Sequence, residues 1–151
     1  MGLLELASGN SLWRGYDYFE EKKVLAYRQT SDGCYEGEVS GSRKKPYTVA
    51  INLAHPRTSN CDCPHANGKR VICKHMVAVY FTAFPAEAKR FYEEAMKAEK
   101  EEKARQENLE KKLISCVSKM KKSELQEELL RMLYEGPEWQ FDRFIEEHWI
   151  E

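Results

Sequence analysis

Four side chains suited to a soft metal stand at Cys61, Cys63, Cys73 and His75, and nothing else in this chain restricts its fold as much. Three of the five cysteines fall within thirteen residues, and the two pairs, Cys-x-Cys and Cys-x-His, flank a nine-residue loop. Tetrahedral zinc needs four donors converging on one point, which two ligand pairs on a short loop supply. Residues two apart in an extended segment point to the same side, so Cys61 and Cys63 reach a single ion. Cys73 and His75 approach it from the turn that opens an apolar helix, and Gly68 lets the loop between the pairs reverse without steric cost. Three thiolates and one imidazole fill every position of a tetrahedral ion, as in structural sites, whereas catalytic zinc keeps a place for water. His65 is a rival fourth ligand and His55 a weaker one. The blander alternative is that the four are buried residues without a metal. A redox role fits poorly, because Cys-x-Cys is not the Cys-x-x-Cys of thioredoxin-like sites.

With 151 residues, the chain has room for one domain, or for a small domain with a helical appendage. A charged fraction of 32% and a mean hydropathy of -0.71 predict a small core under much solvated surface. An odd cysteine count with tight spacing fits reduced thiols and metal ligation better than a disulfide framework. No apolar run approaches a membrane span, and no basic segment leads into a long apolar one near Met1, so neither insertion nor secretion is expected. These features predict a cytoplasmic protein.

The net charge of -1 conceals an uneven distribution. Residues 43–75 carry Arg43, Lys44, Lys45, Arg57, Lys69, Arg70 and Lys74 against Asp62 alone, a net of +6, while both flanking regions are acidic. A cationic zone of this kind points to a polyanion partner. Zinc with three thiolates is itself anionic, so Lys69, Arg70 and Lys74 also serve as compensating charges. Arg43, Lys44, Lys45, Lys69 and Arg70 are the candidate phosphate contacts. So few contacts give weak, salt-sensitive and sequence-independent binding. No segment reads as a recognition helix.

Along the chain, Leu3, Leu4, Leu6, Leu12, Trp13, Tyr16 and Phe19 form an apolar face on one or two short helical segments, with Ser8-Gly9-Asn10-Ser11 between them. Tyr16 and Tyr18 are either core residues or stacking platforms for bases, and core is the better reading. Val24–Gln29 and Cys34–Val39 read as strands around a turn at Thr30-Ser31-Asp32-Gly33, with Cys34 as a buried thiol. The alternation of Tyr47, Val49, Ile51 and Leu53 with Thr48, Ala50 and Asn52 marks a half-buried antiparallel strand. Residues 74–84 form a buried apolar helix that Pro85 ends or kinks. Residues 86–112 are dominated by the helix formers Ala, Glu and Lys, with Phe91, Tyr92, Ala95 and Met96 near the start; from Lys97 to Asn108 they read as a solvated helix or spacer, and Leu109, Leu113, Val117 and Met120 resume an apolar stripe. Ser123-Glu124-Leu125-Gln126 reads as a capping box, and Gly136-Pro137 separates the helix it opens from a last amphipathic segment with Trp139, Phe141, Phe144, Ile145 and Trp149.

The ligand pattern resembles the SWIM zinc finger, in which Cys-x-Cys, a variable loop and Cys-x-His precede an apolar helix. Pro64 after the second cysteine, the run Cys73-Lys74-His75-Met76-Val77-Ala78-Val79, Gly41-Ser42 and the strand Tyr47-Thr48-Val49-Ala50-Ile51 all match that family, as does Arg14-Gly15-Tyr16-Asp17-Tyr18-Phe19 near the start. The likeness covers roughly residues 13–84. It implies one structural Zn2+ and a module that binds DNA or proteins, in company with helicase-like ATPases, transposases or recombination accessory proteins. The chain has no P-loop and no catalytic carboxylate motif, so a non-enzymatic adaptor is expected. Residues 1–84 are expected to be an α+β zinc-finger domain with a small antiparallel sheet and a packed helix, and residues 85–151 a charged helix and helical C-terminal extension. Two roles remain open. One is binding of nucleic acid through the basic face. The other is service as a protein-interaction subunit of a larger DNA-processing or helicase-like ATPase complex, docked through the C-terminal helices.

Overall fold

The computed structural model describes residues 2–149. It shows the expected α+β chain: a four-stranded antiparallel sheet with helices before and after it. A 3-10 turn at Leu4–Leu6 leads into α1 (Gly9–Glu20). Ser8 caps this helix, its Oγ accepting the Ser11 N–H at 3.2 Å. The polar stretch expected to separate two helical segments is therefore the cap and first turn of one, since Ser is among the best acceptors for an orphan N-terminal N–H.

Strands β1 (Val24–Ser31), β2 (Cys34–Val39), β3 (Tyr47–Asn52) and β4 (Asn60–Cys61) follow in a meander of order β1-β2-β3-β4. In β3 Tyr47, Val49 and Ile51 are buried, as their alternation predicts. The first hairpin is tighter than expected: the strands continue to Ser31↔Cys34, leaving only Asp32 and Gly33 for the turn. Cys34, at that end of the sheet, is half-buried rather than buried.

Helix α2 (Lys74–Ala83) is the centre of the core, with Met76, Val77, Ala78, Val79 and Phe81 fully enclosed. It lies against β3 on one side and α1 on the other. The approach of α1 is close because of Gly15, where an added Cβ would meet Val77 Cβ and Cγ1 at 2.5 Å and the Lys74 carbonyl oxygen at 3.0 Å. Gly15→Ala is therefore expected to destabilise the protein by about 1–3 kcal/mol through overpacking. That outweighs the roughly 1 kcal/mol Ala gains over Gly in helix propensity. Denaturant midpoints give the sign directly; a stabilised variant would mean that the two helices separate freely.

Helix α3 (Pro85–Lys119) runs without a break through the charged stretch. Pairs three or four residues apart line it, including Arg90 with Glu87, Lys97 with Glu101 and Arg105 with Glu102. The compact unit that holds the sheet extends to Met96, beyond the expected boundary at residue 84. The reason is apolar: Ala88 is buried, and Phe91 meets Trp13, Tyr16 and Phe81 with ring centroids 5.2, 6.0 and 5.5 Å apart. Tyr16 stacks on Tyr92 and touches Phe81, so it is a packing residue.

A second unit begins at Lys97 and includes α4 (Lys122–Glu135) and α5 (Glu138–His148). Helix α4 starts earlier than Ser123: the Lys121 N–H donates to Glu124 Oε2 at 2.7 Å, and Ser123 falls inside the first turn. Tyr134 and Phe141 bring α4 and α5 together, with ring centroids 6.1 Å apart. No described helix is long and apolar enough to cross a membrane.

Candidate metal centre

Two local structures deliver the four ligands. The β3–β4 pair sets Cys61 opposite Val49, and the Asp62 N–H continues the ladder to the Thr48 carbonyl, so Cys63 follows at the end of the ribbon. Cys63 then begins a tight turn, its carbonyl accepting from the N–H groups of Ala66 and Asn67. The loop turns back at Gly68, whose φ of +71° is open to glycine at little cost. A bridge between Ile72 and Ala7 anchors its far end. Cys73 is the N-cap residue of α2, and His75 lies in the first turn.

The donor atoms of Cys61, Cys63, Cys73 and His75 all lie within 4.8 Å of one another, and all four residues are buried. His75 Nδ1 is 3.6 Å from Cys61 Sγ and 4.0 Å from Cys73 Sγ. Zinc bonds of about 2.3 Å to sulfur and 2.0–2.1 Å to nitrogen place those atoms about 3.6 Å apart at the tetrahedral angle. The Cys61–His75 pair thus already stands at that spacing, the other donors lie slightly wider, and Nδ1 is the nitrogen turned to the thiols. His65 and His55 are exposed and outside the cluster.

The electrostatics favour thiolate at Cys73, whose pKa falls to about 4. The hydrogen bond from the Cys61 thiol is the main cause, opposed by burial and assisted by His75 and the Met76 N–H. Cys61, holding the shared proton, is pushed up. A thiol at a helix N-terminus is where a low pKa is expected.

Residues 47–84 match the family model of the SWIM zinc finger. The chain carries a SWIM zinc finger. No curated protein and no solved structure matches the chain. The cluster and the family agree on one structural zinc ion, held by Cys61, Cys63, Cys73 and His75. Bound there, zinc supplies a four-bond crosslink between the β3–β4 ribbon and α2 and no open coordination position.

The finger has a brace that its sequence did not reveal. The Tyr47 ring stacks on His75 at 4.4 Å between centroids and 20° between planes, and the Arg43 guanidinium lies over the Tyr47 ring, 4.2 Å from its centroid. Arg43 Nε and Nη2 donate to the Lys45 and Pro46 carbonyls, and the same side chain pairs with Asp62. Asp62 also accepts the Thr48 N–H at 2.9 Å. Partial desolvation raises the Asp62 pKa, but Arg43 and Thr48 outweigh it, and the carboxyl ends below its ordinary value. Arg43, predicted to contact phosphate, is thus occupied inside the finger. The adjacent Lys44 and Lys45 are exposed on the β2–β3 loop, and Lys69 and Arg70 are exposed on the ligand loop. Lys74 is partly buried, its Nζ 4.4 Å from the centre of the Tyr18 ring.

Proposed function

We propose that this SWIM finger is a non-enzymatic adaptor that binds nucleic acid, most naturally DNA, through cations on its two loops. The observation that carries this reading is the placement of four exposed cations on the β2–β3 loop and on the loop that joins the two ligand pairs. Lys44, Lys45, Lys69 and Arg70 have no ion-pair partner among the described residues. Four exposed, unpaired cations on a rigid zinc-crosslinked scaffold suit phosphates, and the closed metal site offers no place for hydrolytic water. Arg43 acts from behind, fastening the β2–β3 loop to the ligand loop through Asp62.

About four phosphates neutralised give a slope near -3.6 in log K against log salt, so affinity for a labelled duplex is expected to fall about 100-fold from about 50 to about 200 mM salt. Reversing Lys44 and Lys45 to Glu is expected to lower that slope by about 2. Binding unchanged by salt and by charge reversal, or no binding at low salt, would contradict the proposal.

A second reading rests on the C-terminal unit. Neither α4 nor α5 has a buried residue, and Leu109, Leu113, Ile114, Leu129, Leu130 and Trp139 are all exposed. Such a surface suits an interaction subunit seated on a larger DNA-processing partner, for example a helicase-like ATPase. Co-purification that depends on Trp139 and Phe144 would favour that role.

A further inference from the structure

We infer that the C-terminal unit pairs two copies of this chain: the lysine-flanked apolar stripe of α3 in one copy lies on the acidic α4–α5 hairpin of the other, and the reverse. The unit lacks a core of its own. From Lys97 to Trp149 no side chain is buried. Helices of 14 and 11 residues, such as α4 and α5, are marginal in water unless an apolar face is covered. The stripe of Leu109, Leu113, Val117 and Met120 is open as well. Leu109 is 67%, Leu113 63% and Val117 44% exposed, so the hairpin of the same chain does not cover it. On the hairpin Leu129, Leu130, Met132 and Trp139 are 44–60% exposed. A stable interface covers about 800 Å² on each partner, and large apolar side chains left half in water supply area of that order.

Charge identifies the occupant. Residues 97–110 mix both signs, as a solvated helix does. Residues 111–122 then carry five lysines and no acidic group, and residues 123–148 carry eight acidic groups against Arg131 and Arg143. The stripe is thus framed by a net charge of +5 and the hairpin by -6. An outside partner would need the same segregation with the signs exchanged. A second copy supplies it without further condition, because a twofold axis sets each stripe on the other chain's hairpin. The lengths agree too: at 1.5 Å per residue, the stripe and α5 both run about 17 Å. Lysines beside such a seam cover apolar surface with their stems and keep their ammonium groups in water. This pairing does not rest on nucleic-acid binding, and it gives to a second copy the face that a larger partner would otherwise take.

Sedimentation equilibrium of the zinc-loaded full chain, over a series of protein concentrations, is expected to reach twice the single-chain mass of 17.7 kDa. Two charge-reversed variants carry the test. One has Lys112→Glu and Lys119→Glu beside the stripe; the other has Asp142→Lys and Glu146→Lys, one turn apart on α5. Each is expected to weaken self-association about tenfold or more, because like charges then meet at both contacts of the pair. All four side chains are exposed, so zinc content should not change. Mixed in equal amounts, the two variants are expected to associate with each other about as tightly as the unaltered chain does with itself, since each reversed surface then faces its reversed counterpart. A hairpin folded onto its own stripe could not give that rescue. A chain that stays monomeric at every concentration overturns the inference and leaves the face to an outside partner. A dimer that both variants leave intact, or variants that stay apart when mixed, overturn it equally.

Discussion

Removal of zinc by a chelator at neutral pH is expected to unfold the unit that ends at Met96, while helical signal from the rest of the chain persists. The core of that unit is small, and three of its buried residues are the thiols Cys61, Cys63 and Cys73. They connect elements that have few other ties: β4 has only two residues, and the loop from Cys63 to Cys73 has little regular structure. In finger peptides structural zinc contributes about 10–16 kcal/mol to folding, as much as the whole net stability of an ordinary domain. Without it, this fold has no comparable term to offset the ordering of that loop. The protein as purified should contain one zinc per chain, and Cys73→Ser should behave like the chelated wild type. Acid should act similarly, since protonation of the thiolates competes with the metal. A chelated protein that melts cooperatively at the original temperature would show that the apolar core suffices alone.

The parts of this structure that were legible in sequence are those governed by local spacing. Ligands two residues apart, the period-two alternation of β3 and the unbroken apolar run of α2 each state their own geometry. Features that depend on residues far apart in sequence were hidden. Arg43 looked like one of three equivalent cations in a basic turn, yet Asp62, nineteen positions later, makes it a brace. The apolar residues in the first turns of α3 stood out in the sequence, but not what they pack against: Ala88 and Phe91 join a core with α1 and α2. Ser123 misled for the opposite reason: it has the chemistry of a cap, but the backbone turns two residues earlier.

Phe81→Ala is expected to lower zinc affinity although Phe81 is not a ligand. Its ring is fully buried at the far end of α2 and touches Tyr16, Phe19, Tyr80 and Phe91, so it joins α2 to α1 and to the start of α3. Truncating a buried phenylalanine costs about 3–5 kcal/mol in lost contacts and cavity. If the metal-free finger is unfolded, that cost cannot appear in the apo state and must appear in the binding equilibrium. At about 1.4 kcal/mol per tenfold, apparent zinc affinity should fall roughly 100-fold to a few thousandfold. Competition against a chelator of known affinity measures this directly, and Phe81→Leu should lose much less. Unchanged zinc affinity together with a lower melting temperature would mean that the four ligands are already assembled without metal. Zinc would then tighten a finger that folds on its own, and the chelation result above would have to fail with it. The two experiments therefore test one claim from opposite ends of α2: His75 at its first turn and Phe81 at its last belong to a single cooperative unit whose folding is its metal binding.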